Sequence, residues 1–141
     1  AKSDFIVVYS HWGREYKLVN SERQQKLAHQ FIDAGADLII GAHPHVVQPI
    51  EIYKNKAIFY SLGNFVFDQY FSDNVRSILG VGVLLENKKI KFTLIPLFKR
   101  KNGELEWMTG EQQKNFLQNL SERSVANDNV KKEIVKGEFD L

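Results

Sequence analysis

The sequence contains no cysteine, one methionine and three prolines. Without cysteine there is no disulfide framework and no thiolate metal site, though this leaves the compartment open. Long apolar runs are missing too. Phe5–Tyr9 is the longest unbroken one, and Ile78–Leu85 is interrupted by Gly80 and Gly82; both fall far short of the roughly 20 residues that cross a bilayer as a helix. Charge of one sign is not in excess: 19 Lys+Arg stand against 17 Asp+Glu, a net charge of +2. Nucleic acid is therefore not an expected partner, since such domains carry a marked basic excess or stripe. The basic, apolar and small-residue order of a secretory leader is not found. The chain opens at Ala1 and enters a strand-like run almost at once, which reads as a processed product or an excised piece of something longer. What is present is the composition of an ordinary globular domain: 141 residues, 43% apolar and 26% charged, enough for one core.

Periodicity divides the chain into elements. Asp4–Ser10 is a β-branched and aromatic run, read as a buried strand. Ser21 followed by Gln24 is a capping-box signature, and Leu27, Ala28, Phe31 and Ile32 fall at helical spacing before a stop at Gly35. Asp37–Ile40 is a second short buried strand. Strand, helix and strand at this spacing form a βαβ unit with parallel strands. Pro44 and Pro49 keep Gly41–Pro49 from being helical. Two antiparallel hairpins follow. One joins Ile50–Tyr53 to Ala57–Ser61 through Lys54-Asn55-Lys56, the other joins Ile78–Glu86 to Lys89–Pro96 through Asn87-Lys88. After Lys99 the pattern turns polar, with helices expected at Glu111–Leu120 and Val130–Lys136. This tail reads as peripheral.

Three of the four histidines follow predicted strands. His11 ends the first. His43 and His45 follow the second, with Gly41 before them and Pro44 between them. Parallel strands of one βαβ unit end at the same sheet edge, where open α/β sheets place their ligands. The reading brings His11 close to His43 and His45, a set that suits Zn, Mn, Fe or Ni; the bland alternative is three solvated loop side chains. His29, on the helix, reads as a half-buried structural residue. Glu15, four residues after His11, is a candidate ligand, orienting acceptor or general base, against an ordinary surface carboxylate. Trp12 and Tyr16 either wall the site or pack under the loop. Asn64 after Gly63 is a candidate site residue, against an Asn that merely tolerates a turn. Lys88–Lys91 and Lys99–Lys101 read as solvated strand ends with a weak signal for an anionic polymer. A two-metal site needs further carboxylates. Asp4 and Asp37 open their strands and so lie at the opposite edge, and Asp68 and Asp73 carry no spacing signature. The histidines look like half of a site.

Three segments, HWGREY, SERQQKLAHQFIDAGADLIIGAHPHVVQPIE and IFYSLGNFVFDQ, closely resemble the C-terminal half of the CapA (PgsA-type) family of bacterial poly-gamma-glutamate capsule biosynthesis proteins, within the calcineurin-like metallophosphatase superfamily. The resemblance runs from about Asp4 to about Phe98. It implies an α/β fold, the C-terminal part of a four-layer αββα sandwich, with residues 1–98 as half of the domain and 99–141 as a tail. It implies a dinuclear centre of divalent ions (Zn, Mn or Fe) in the complete domain, with His11 matching a lone histidine ligand and Gly41–His45 the last ligand motif. Gly63-Asn64 is not equated with the family's Gly-Asn segment, because it follows the histidine motifs and precedes Phe65. The carboxylate ligands would come from an upstream segment of the same domain. An exposed sheet edge or face is expected where that segment belongs.

Two functions from different classes follow. One is a component of poly-gamma-glutamate synthesis or export at the bacterial cell surface, handling an anionic polymer in a membrane-associated capsule complex. The other is a metal-dependent phosphoesterase or other hydrolase, with Glu15 and Asn64 as catalytic or substrate-contacting groups. A structural fragment that binds nothing is the third, blander reading. Fold and ligand set alone do not choose between them.

Overall fold

The computed structural model describes residues 3–86 and 89–141; the expected Asn87-Lys88 turn and the first two residues lie outside the described residues. The βαβ unit is present. Strand β1 (Val7–His11) is followed by helix α1 (Glu22–Asp33) and strand β2 (Leu38–Ala42), and β1 pairs with β2 in parallel, Val7 against Leu38 and His11 against Ala42. The capping box forms as its residue types dictate, with the Ser21 hydroxyl accepting from the Gln24 amide and the Gln24 side chain accepting from the Ser21 amide. Strands β3 (Ile50–Tyr53) and β4 (Lys56–Phe59) make the first hairpin. Its turn residues Lys54 and Asn55 have φ 49° and 58°, the positive pair that a tight hairpin turn of matching twist requires. The sheet order is β1-β2-β4-β3, with β2 parallel to β4.

A second sheet holds β5 (Ser77–Glu86), β6 (Lys89–Lys99), β7 (Leu105–Trp107) and β8 (Glu138–Asp140), with β6 at its centre. A one-turn helix, α2 (Asp73–Arg76), leads into β5, and α3 (Gly110–Arg123) and α4 (Asp128–Lys136) precede β8. No helix among the described residues is long and apolar enough to cross a membrane.

Alternation along the strands makes two cores. Ile39, Ile58 and Tyr60 point to one face of the first sheet and pack against Ala28 and Ile32 of α1. Leu38, Ile50, Ala57 and Phe59 point to the other face and meet Leu79, Phe92 and Leu94 of the second sheet. Leu117, Leu120, Val130, Ile134 and Phe139 join this larger core. The segment after Lys99 is thus partly helical, as read, but it is not peripheral: its few apolar residues fall at helical spacing and close one side of the inter-sheet core. The described residues therefore build a mixed α/β arrangement of two sheets with α1 outside the first, while α3 and α4 contribute side chains to the core the two sheets share.

Strand β1 departs from its reading as buried. Val7 and Tyr9 are 50% and 71% exposed, although they share the inter-sheet face with their register partners Leu38 and Ile40. The second sheet, bounded by β5, stops short of covering them. Near the tip of β5, Val83, Leu84 and Leu85 are also exposed. Both sheets thus end in an open edge strand with uncovered apolar side chains.

Candidate metal centre

The carboxyl ends of β1 and β2 carry the site. Gly41 sits where β2 passes closest to its neighbours: a Cβ there would lie 2.0 Å from the Tyr60 carbonyl oxygen and 2.5 Å from Trp12 Nε1. Only glycine lets the chain through. Beyond it, His43 and His45 adopt φ 94° and 60°, and Tyr16 of the facing loop adopts φ 61°, a left-handed region that disfavours side chains of this size. The loops are tied together by Trp12 N to Ala42 O at 3.1 Å and Tyr16 N to Pro44 O at 2.7 Å.

Glu15, His43 and His45 each turn a ligand-type atom inward, all within 4.8 Å of one another. His45 Nε2 lies 3.8 Å from Glu15 Oε1. The other nitrogen of that ring, Nδ1, is 2.7 Å from Asn64 Oδ1. Asn64 Nδ2 donates to Gln69 Oε1 at 3.4 Å, which leaves the Asn64 oxygen facing the imidazole. Nδ1 therefore carries the proton, and Nε2 offers a lone pair toward Glu15 and His43. His11 adjoins the group through His43, with ring centroids 4.6 Å apart, but its donor atoms are not within the same short separation.

Rings surround the cluster. Tyr16 stacks on one side of His45 at 5.8 Å and Phe67 at 5.1 Å, while Phe71 meets Tyr16 edge-on at 5.0 Å. Gln69 Nε2 donates to the Tyr16 hydroxyl at 2.8 Å. The wall is a loop, residues 64–71, with Phe65, Val66 and Phe71 largely exposed. Lys99 anchors it from beneath. Its side chain is 1% exposed, Nζ donates to the Phe67 carbonyl and lies 4.8 Å from the Tyr70 ring centroid. Burial pushes this amine below the ordinary lysine value. Lys99 is thus no solvated strand end. Lys91, from the other basic stretch, pairs with Glu138 at 2.7 Å, and Arg100, next to Lys99, pairs with Glu106 at 2.5 Å.

His29, read as structural, lies in a hydrogen-bonded and stacked cluster away from the site. His29 Nε2 meets Glu51 Oε1 at 2.8 Å, Tyr60 donates its hydroxyl to Glu51 Oε2 at 2.5 Å, and the His29 ring stacks on Tyr53 at 3.8 Å. Burial, then the bond to Glu51, pushes the Tyr60 phenol well above its usual range. Trp12 Nε1 donates to Tyr60 O at 2.9 Å, so this ring packs under the loop. Asp37 sits at the far end of β2, holding Lys56 Nζ and, at 2.9 Å, the Ile6 amide. Asp73 begins α2 and pairs with Arg76 at 3.2 Å. The wall residues Phe67, Gln69 and Phe71 had no spacing signal of their own; the Gly63-Asn64 break and the family-like segment around it were the markers of that loop.

Comparison with known proteins covers the stretch that carries these residues. Residues 1–69 match the family model described as bacterial capsule synthesis protein PGA_cap, and the matched stretch includes Glu15, His43, His45 and Asn64. The PGA biosynthesis protein CapA of Bacillus subtilis (strain 168) is 48% identical over 95 residues, 67% of this chain and 25% of the relative. Over that stretch the chain belongs to the CapA capsule biosynthesis family. The capsule biosynthesis protein CapA of Bacillus anthracis is 47% identical over 95 residues, 67% of this chain and 23% of that protein. A probable polyglutamine synthesis accessory protein of Mycobacterium tuberculosis (strain ATCC 25618 / H37Rv) is 38% identical over 65 residues, 46% of this chain and 17% of that protein. The chain thus spans about a quarter of the length of the two CapA relatives.

Proposed function

We propose that this chain is the histidine-bearing part of a capsule biosynthesis protein that acts on poly-gamma-glutamate outside the cytoplasm, and that Glu15, His43 and His45 hold a divalent ion there. The observation that carries the reading is the convergence of two imidazoles and a carboxylate within 4.8 Å, with Asn64 fixing one imidazole in the ligating tautomer. This donor set fits zinc, manganese or iron. A bound ion would polarise a carboxyl, acyl or phosphoryl oxygen or lower the pKa of a bound water. Asn64 orients His45, Glu15 supplies the negative charge, and the Tyr16 and Phe67 rings restrict water around the histidines. His11 stands beside His43, placed to serve a second ion once further carboxylates are supplied.

Those carboxylates belong to an upstream segment of the same domain. The open edges of β1 and β5 and the uncovered Val7 and Tyr9 support that role, because a strand added there would bury them and reach the end of β1 where His11 sits. That segment would also complete a four-layer sandwich. Assembly with a membrane-associated capsule complex is part of the same proposal. The alternative is a metal-dependent phosphoesterase or other hydrolase, favoured by the nearness of Glu15 to an oriented histidine; turnover of a generic phosphodiester, lost on His43→Ala, would establish it.

Elemental analysis tests the centre. A longer piece carrying the upstream segment should hold about two ions, as a two-metal site requires, and this chain one or none, with His43→Ala/His45→Ala losing them. If neither piece retains metal after dialysis against excess zinc or manganese, the metal reading falls.

A further inference from the structure

Beside the histidines, a cleft of about 700 Å³ runs between the loop after β1 and the first turns of α1, lined by His11 and Trp12 at one end and by Arg14, Lys17 and Arg23. No aspartate or glutamate lines it. None of the three cations enters an ion pair among the described residues. Glu15, the acidic neighbour in sequence, turns toward His45 instead.

The loop that carries Arg14 and Lys17 is already fixed. Gln48 Nε2 donates to Lys17 O at 2.9 Å and Val19 O at 3.2 Å. The half-buried Arg123 donates to Leu18 O at 2.7 Å. Gln24, packed under Gly13, bonds to Gln48 at 2.8 Å. Three unpartnered cations on an ordered loop and helix line one concavity, so a ligand has to order only their side chains and not the backbone beneath them.

We propose that this cleft is an oxyanion subsite for an extended polyanion, with Arg14, Lys17 and Arg23 binding successive carboxylate or phosphate groups of a chain whose next group reaches the histidines. Arginine presents a planar fork of donors that matches either oxyanion. The proposal names the ligand class for the site described above, but its binding step needs no metal, so the two readings can fail separately.

The test uses the metal-free full chain in a Trp107→Phe background, so that Trp12 in the cleft reports by fluorescence. Trp107 is exposed on β7, away from the cleft. Two probes, a glutamate octapeptide and inorganic tripolyphosphate, separate a polycarboxylate ligand from a phosphate one. Saturable binding of either, weakening steeply with salt, is expected. Arg14→Gln/Arg23→Gln should weaken it at least about tenfold, the scale of losing one charge-assisted contact. Lys132→Gln/Lys136→Gln on α4 removes the same charge elsewhere and should leave it unchanged. Absence of saturable binding by both probes overturns the proposal. So does equal loss in the α4 variant, which would make the effect one of net charge.

Discussion

His45 and Asn64 are 19 residues apart in sequence and joined by a 2.7 Å contact between Nδ1 and Oδ1. That contact turns the imidazole and settles which nitrogen is free. Replacing Asn64 by Ala should leave the fold intact and weaken zinc binding by about 10–100-fold, the usual cost of losing a group that orients a ligating histidine. Competition against a chromophoric chelator reads this directly. An unchanged affinity would show that His45 needs no such support.

Lys99 links the second sheet to the wall of the site through the Phe67 carbonyl. With Lys99→Met the loop loses its only charged anchor among the described residues, while the apolar stem is kept. Amide hydrogen exchange should quicken across residues 65–71 and stay slow in β5 and β6, because local opening depends on local contacts. Uniform quickening would point to global loss of stability instead.

Asp37 gives the pH dependence a sign. Its hydrogen bond from Lys56, and then that from the Ile6 amide, holds the carboxyl below its ordinary value of 3.8. A depressed folded-state pKa contributes stability that is present above the unfolded value and lost as pH falls through the folded one. Asp37→Asn should cost about 1 kcal/mol or less at neutral pH, since the pair is partly exposed. The difference from the native chain should close as urea titrations are taken below pH 3.8.

Gly41→Ala should be severe. The added methyl would meet backbone, the Tyr60 carbonyl at 2.0 Å, not the end of a movable side chain. A loss of about 1–3 kcal/mol or more is expected from overpacking, measured by urea unfolding.

Leu120 tests the role of the tail. Its side chain is fully buried in the inter-sheet core, so Leu120→Ala should cost about 2–5 kcal/mol. A loss below about 0.5 kcal/mol, the range of surface substitutions, would restore the reading of this segment as peripheral.

Much of the framework was legible because its signals are local. Ser21 and Gln24 mark the helix start, Lys54-Asn55 the turn, and alternation the strands. The meeting of His43 with His11 followed from one topological rule about parallel strands. Burial of the tail was not legible, because Leu117, Leu120 and Ile134 sit among polar residues and their partners, Phe59 and Phe92, lie far away in sequence. Lys99 misled for a related reason. A lysine at a strand end is normally solvated, and only the path of residues 64–71 over it puts it inside. The exposure of Val7 and Tyr9 was equally hidden, since an apolar run does not say which of its neighbours is present.

The backbone at His43 and His45 sets stability against chemistry. A side chain in the left-handed region costs roughly 1–2 kcal/mol per residue, and glycine would carry no such cost. On folding grounds alone, then, the positions with φ 94° and 60° would drift toward glycine or asparagine. A lineage that stopped using the site should show that drift first in these two places, and its members should melt higher than this chain.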